Sequence, residues 1–375
     1  MSDTTTAAPR DRRTVGSVRG EYKVPGGKLV AVELDVVDGA LSAVHLSGDF
    51  FLEPDEALAV IDSALDGLPA DTSTHAVADA VDAALADAAQ AGTIAGPVAM
   101  VGFDARAVAV AVRRALGHAT TWEDHTFEVL RPGPLPVRTL AALDQVLTEE
   151  LAEGLRGPTL RFWDWDERAV VIGSFQSLSN ELDPEGVAKH DVTVVRRISG
   201  GGAMFMEAGN CVTFSLVVPA SLVDGLSFEQ SYAFLDAWVL DALASIGVEA
   251  FFSGMNDVAS PAGKLAGSAQ KRLAGGAVLH HMTIAYDIDS DKMLEVLRIG
   301  REKLSDKGTR SANKRVDPLR SQTGMAREAI VDAFEASFKQ RYRTVDSELR
   351  PDELDRAEKL VETKFATPEW IARVP

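Results

Sequence analysis

The residue types in this chain best suited to chemistry stand in one run, Arg196-Arg197-Ile198-Ser199-Gly200-Gly201-Gly202. An apolar, β-branched stretch precedes it and a second apolar stretch, 211–219, follows. Three consecutive glycines exceed what a hairpin turn needs. They let the backbone turn tightly and bring several N–H groups close to an anion. Arginines at the mouth of such a turn would hold a phosphate or carboxylate by bidentate hydrogen bonds. The strand–loop–strand setting differs from the dinucleotide fingerprint, which opens a helix, and from the P-loop, which ends in Gly-Lys-Ser/Thr. The expectation is an anion cradle; the plainer reading is a glycine-rich hairpin with two surface arginines.

A second small-residue segment, Gly263-Lys264-Leu265-Ala266-Gly267-Ser268-Ala269, carries a lysine that could approach a ligand as a point charge. Asn256-Asp257 lies upstream, a candidate for Mg²⁺ or for a hydrogen bond to a base edge. The plainer reading is an exposed loop, with Lys271 and Arg272 as further surface charge. His280 and His281 fall on an apolar strand. Neighbours on a strand face opposite sides, which predicts one structural and one site-facing histidine rather than a zinc pair. Cys211 is the only cysteine. A nucleophilic thiol needs a base in reach; none is local, so a buried strand thiol is expected.

The totals narrow the classes. A length of 375 residues suggests two or three domains. A net charge of −18 argues against a non-specific nucleic-acid binder. No Lys or Arg occurs between Lys28 and Arg106, so that region offers no electropositive face. One cysteine excludes an intrachain disulfide and fits a reducing, cytoplasmic location. No apolar run reaches the roughly 18 residues of a spanning helix, so no membrane partner is expected. Residues 1–15 are polar and lack a signal-peptide core; they are expected to form a disordered tail.

These candidates need elements to hold them. Residues 16–118 predict one small α+β unit. Strands 29–37 and 41–47 join through the turn signal Asp38-Gly39. A helix opens at Pro54, a second covers 74–91, and a third covers 105–116 between Asp104 and Gly117. After a proline-rich connection, a helix begins at Thr139, strands cover 161–165 and 169–172, and a short helix covers 184–189. A strongly apolar helix covers 228–246 and a strand 277–286; the end from Asp291 reads as mostly helical. The predicted class is α+β, a mixed sheet with helices on its faces.

Taken together, these segments resemble the lipoate–protein ligase family, the cofactor transferases related to biotin ligases. The family loop RRxSGGGAVFHDxGN corresponds to residues 196–210, with Met206-Glu207 in place of His-Asp. The family's Asn-Asp and Lys-(Ile/Val)-Ser-Gly-Ser-Ala correspond to Asn256-Asp257 and to residues 264–269, and HHGTLL to residues 280–284. The strand exit VVIGxxQN has its counterpart in residues 170–176, and EKLVETKFATPEW near the end also looks like a family segment. Residues 20–39 and 46–54 resemble the family's small accessory domain, which usually follows the catalytic domain and here comes first.

The resemblance implies a biotin/lipoate ligase-like catalytic domain over 122–375, its core reaching about 345 before a helical tail, and an accessory domain over 16–118. It implies activation of lipoate by ATP and Mg²⁺ to lipoyl-AMP, then transfer to a lysine. The acceptors would be lipoyl domains of 2-oxoacid dehydrogenase E2 subunits and the glycine cleavage H protein. Lys264 and Arg197 would be catalytic. Ser199, Gly201, Gly202, Ala203, Met204, Phe205, Asn256 and Asp257 would join them in holding ATP and the adenylate. Asp257 would face Mg²⁺, and His280 or His281 would border the lipoate pocket. Two rivals stand beside this reading: an octanoyl or lipoyl transferase using Cys211, and a non-catalytic homologue that binds lipoyl domains.

Overall fold

The computed structural model describes residues 14–24, 26–117, 119–298 and 317–375. They fall into two units, one of residues up to Thr121 with Val223–Ser227, the other of Trp122–Leu222 with Phe228–Pro375. The tail expected over 1–15 lies outside the described residues up to position 13; residues 14 and 15 open the first strand.

In the first unit, β1 (Thr14–Lys23), β2 (Leu29–Val37) and β3 (Ala40–Gly48) form an antiparallel sheet in that order. Asp38 and Gly39 both take positive φ, 51° and 82°, the requirement of a two-residue type I′ hairpin. Val30, Val32 and Leu34 bury one face of β2. β4 (Phe51–Glu53) pairs with β5 (Ala99–Val101). Three helices follow the sheet strands: α1 (Ala57–Leu65), α2 (Thr74–Ala91) and α3 (Ala105–Leu116). Ser73 and Asp104 cap α2 and α3 by accepting from Ala76 N and Ala107 N. α1 starts three residues after the expected Pro54, because residues 54–56 are spent on the turn leaving β4. Gly20 of β1 lets α3 come close: a Cβ there would lie 2.2 Å from Ala111 O.

The second unit begins with β6 (Phe127–Leu130), α4 (Val137–Ala152), β7 (Thr159–Trp163) and β8 (Ala169–Ile172). Next come α5 (Leu178–Glu181), α6 (Pro184–Lys189), β9 (Thr193–Arg196), β10 (Met204–Met206) and β11 (Cys211–Pro219). After α7 (Phe228–Ser245), four strands follow: β12 (Phe251–Ser253), β13 (Asp257–Ser260), β14 (Gly263–Arg272) and β15 (Ala277–Ala285). The rest is α8 (Ser290–Val296), α9 (Leu319–Thr323), α10 (Arg327–Arg341), β16 (Thr344–Ser347), α11 (Pro351–Leu360) and α12 (Pro368–Ile371).

Eight strands make one sheet in the order β12-β13-β14-β15-β11-β7-β6-β16, parallel only at β7-β6-β16. A smaller sheet, β10-β8-β9, stands apart from it. The period-two alternation of β11 and β15 sends Cys211, Val217 and Leu279 into a core shared with α4 and the small sheet. Phe214, the opposite face, packs on Trp238 of α7 at 4.9 Å between ring centroids, and Trp238 on Phe338 of α10 at 5.1 Å. The result is a mixed sheet with helices on both faces, as the sequence predicts.

Candidate active site

The glycine-rich loop leaves β9, whose parallel pairing with β8 sets Arg196 opposite Ile172. Arg197 N donates to Ile172 O at 3.0 Å, and Ser174 N to Ser199 O at 2.8 Å. Neither arginine stands open at a mouth, contrary to the sequence expectation. Arg196 is fully buried and donates to Gly173 O, Gln176 O and Ile371 O at 2.9, 2.7 and 2.8 Å, and to Val374 O at 3.2 Å. Arg197 donates to Val171 O, Gly200 O and Gly202 O at 3.1, 2.5 and 2.8 Å. The reason is general: a loop buried outside a ladder leaves carbonyls that need donors, and a guanidinium supplies five. Burial lowers Arg197 to about 10, so it stays cationic at neutral pH. It borders the central cavity as a fixed positive charge in the wall.

The glycines have separate reasons. Gly201 takes φ +87°, and a Cβ on it would lie 2.9 Å from Arg197 Nη2 and 3.3 Å from Ala269 Cβ. A Cβ on Gly173, before the loop, would lie 2.2 Å from Gly201 O. A Cβ on Gly202 would meet nothing within 4 Å.

On the facing side, Lys264 does not sit in an exposed loop; it belongs to β14. Its Nζ lies 2.8 Å from Asp257 Oδ1, at the start of β13. Gly267 makes room for the pair, since a Cβ there would lie 3.3 Å from Lys264 Nζ and 3.5 Å from Asp257 Oδ1. Asn256 Nδ2 donates to Ser268 O at 2.6 Å, fixing the turn before Asp257.

These two segments share one cavity of about 350 Å³, within the usual range for small-molecule sites. Arg197, Gly202, Ala203, Met204 and Phe205 line it on the loop side, and Asn256, Asp257 and Lys264 on the other. The floor follows the alternation of two strands, His281, Thr283 and Ala285 of β15 and Cys211 and Thr213 of β11, and is extended by the small residues of β14 from Ala266 to Ala269. Ile288, Met293 and Leu294 make one stretch apolar. Thr213 and Thr283 hydrogen-bond each other at 2.9 Å. Ser199 and Gly201, expected around a bound nucleotide, are not among the lining residues.

The paired histidines separate as their strand dictates. His281 borders the cavity. Its Nδ1 lies 2.9 Å from Asp144 Oδ2 and its Nε2 2.7 Å from Ser199 Oγ. Asp144, on α4, also meets Arg161 Nη2 at 2.7 Å. Burial alone would raise the Asp144 carboxyl, but the His281 hydrogen bond and the Arg161 charge outweigh it and hold the carboxyl below its ordinary value. Burial pushes His281 down. His280 faces away: its Nε2 lies 2.6 Å from Asp236 Oδ1 on α7, and it does not border the cavity.

Cys211 does line the cavity, yet burial pushes its thiol up to about 12. In the β11–β15 register it pairs with Ala285, while His281 pairs with Ser215. Four residues of strand, roughly 13 Å of backbone, therefore separate Cys211 from Ser215, the residue opposite His281. Met206 is buried in the core, and Glu207 is held by Arg168 at 3.1 Å and Lys292 at 2.7 Å, so neither lines the cavity. Among the described residues no group of three or more His, Cys, Asp or Glu is placed to hold a metal. None of their helices is long and apolar enough to cross a membrane. Asp144 escaped the sequence reading. Its one signal was an acid set four residues after Leu140 and three before Leu147 on a helix whose neighbours are apolar.

An octanoyltransferase LipM of Lysinibacillus sphaericus is 28% identical over 260 residues, covering 61% of this chain and 92% of that protein. The lipoate-protein ligase LplJ of Bacillus subtilis is 33% identical over 151 residues, 40% of this chain and 44% of that protein. Among solved structures, the bi-partite lipoate protein ligase of Thermoplasma acidophilum, studied with its E2 lipoyl domain, aligns with a TM-score of 0.59 at 26% identity, over 67% of this chain and 98% of that one. The family model for the lipoyl protein ligase A/B catalytic domain matches residues 136–342, more than half of the chain. The chain belongs to the lipoyl protein ligase A/B catalytic-domain family.

Proposed function

We propose that this protein activates lipoate with ATP and passes the lipoyl group to a lysine of a lipoyl domain. One observation carries the reading: Arg197 and Lys264, from segments far apart in sequence, border the same cavity, and Ile288, Met293 and Leu294 make one stretch of its wall apolar. In the first step a carboxylate oxygen attacks the α-phosphorus of ATP, and pyrophosphate leaves. Two anions must meet, and the charges of Lys264 and Arg197 offset their repulsion while N–H groups of residues 202–205 face the phosphates. In the second step a lysine amine attacks the acyl carbonyl of the mixed anhydride and AMP leaves. No covalent enzyme intermediate is needed, so alignment supplies much of the rate. The acyl chain lies along Ile288, Met293 and Leu294.

Mg²⁺ is carried by one or two carboxylates together with substrate phosphates. Asp257 fits that role as a single carboxylate already bordering the cavity, its partner Lys264 being free to turn to a phosphate. The ion would neutralise charge on the leaving pyrophosphate. The acceptor class, a lipoyl domain of an E2 subunit or the glycine cleavage H protein, and a cytoplasmic setting complete the proposal.

A transferase reading has its own support in the name of the LipM relative. It would place an acyl thioester on Cys211. The buried thiol, raised to about 12 and four strand residues from Ser215, the residue opposite His281, disfavours that step. A pyrophosphate-release assay with ATP, an acceptor lipoyl domain and acids of graded chain length decides. Release with lipoate supports the ligase. Transfer from an acyl carrier without ATP, abolished in Cys211→Ser, would replace it.

A further inference from the structure

Asp144, His281 and Ser199 come from α4, β15 and the glycine-rich loop, and they meet in the order acid, imidazole, hydroxyl at 2.9 and 2.7 Å. That is the order of a hydrolase triad, but the chemistry differs. Ser199 has no exposed surface and does not border the cavity, so its oxygen cannot reach an acyl carbon there. Its Oγ also accepts from Arg197 Nε at 3.1 Å. Asp144 is ion-paired with Arg161, so it accepts, and His281 Nδ1 must carry the ring proton. Nε2 is then the acceptor, and the Ser199 hydroxyl donates to it. Both ring nitrogens are committed, which leaves His281 no lone pair for a substrate.

We propose that Asp144–His281–Ser199 is a positioning relay: helix α4 fixes the imidazole, the imidazole fixes the Ser199 hydroxyl, and the hydroxyl fixes Arg197 and the loop it binds. The physical need is plain. Arg197 divides its donors among Val171 O, Gly200 O, Gly202 O and Ser199 Oγ. A loop of three glycines has little stiffness of its own. Aim comes from outside the loop, and the relay is the side-chain path that ties it to a packed helix. His281 serves as a wall of the cavity and not as its base.

The test uses the full chain labelled with ¹⁵N-histidine, the His281 signals being identified by their loss in His281→Asn. The relay requires a neutral ring with the proton on Nδ1 from pH 6 to 8, and a shift of the Nε2 resonance in Ser199→Ala. On the proposed adenylation, which this arm alone assumes, Ser199→Ala slows pyrophosphate release at least tenfold; Ser199→Cys, of similar volume and a weaker donor, falls between. A ring protonated on Nε2, a His281 that titrates near its ordinary value, or a Ser199→Ala protein unchanged in spectrum overturns the relay. If the wild type releases no pyrophosphate, the function reading fails, and the spectra still decide the relay.

Discussion

Lys264 is the residue whose removal separates charge from scaffold. Its side chain is 38% exposed and its partner Asp257 24% exposed, so the pair is partly screened and contributes at most about 1 kcal/mol to folding. Its proposed contribution to phosphoryl chemistry is larger: losing one positioned group at developing charge costs about 10²–10³ in rate. Lys264→Ala should therefore keep its melting temperature within a few degrees and lose at least a hundredfold in lipoate-dependent pyrophosphate release. Near-normal release would remove Lys264 from the mechanism. His281 gives a prediction in pH. Burial holds its folded value below the ordinary one of about 6.5. The unfolded chain takes up a proton there that the folded chain refuses, so stability is full above about 6.5 and declines as pH falls below it. Asp144, held low, adds its stability above about 3.9 and loses it only below that. Between pH 6.5 and 5 the imidazole dominates this pair, and His125, also lowered by burial, acts in the same sense. Melting curves should show a falling midpoint across that window and a shallower fall in His281→Gln. Equal slopes would mean His281 is protonated in the folded protein.

At the level of elements, Gly173 joins the small sheet to the loop. A Cβ there would meet a backbone oxygen at 2.2 Å, which no rotamer relieves. Gly173→Ala should shift the loop, destabilise by about 1–3 kcal/mol and weaken nucleotide binding about tenfold by calorimetry. Gly202→Ala, whose added carbon meets nothing within 4 Å, should leave the melting temperature nearly unchanged. Helices α2 and α3 were legible to the residue because Ser73, Asp104 and the glycines after them mark the ends in sequence. The short strands β5 and β16 were not: three and four residues are too few to show alternation. β14 was hidden by its small residues, which have poor strand propensity and are held by the neighbours β13 and β15. The candidate residues that border the cavity were legible by type. Their partners were not, because a sequence shows that Arg197 is a donor but not that buried carbonyls claim its N–H groups, and Asp144 reads as one more helix residue until β15 is laid against it.

On the scale of the molecule, the first unit, with no Lys or Arg from 29 to 105, has nothing in that span to balance a phosphate. We propose that it assists activation as an accessory domain rather than supplying charge to the site. Residues 122–375 alone should transfer preformed lipoyl-adenylate at a rate close to that of the full chain and form it from lipoate and ATP at least tenfold more slowly. Equal formation by the shorter protein would assign the first unit another task. The second unit has a feature with practical reach. Arg196 binds carbonyls of Ile371 and Val374 with the same guanidinium that holds Gly173 and Gln176. Immobilising the protein on a sensor surface through residues beyond Ile371 would load the hinge of the glycine loop mechanically. Affinities recorded in that orientation should drift from those of protein tethered at the opposite end.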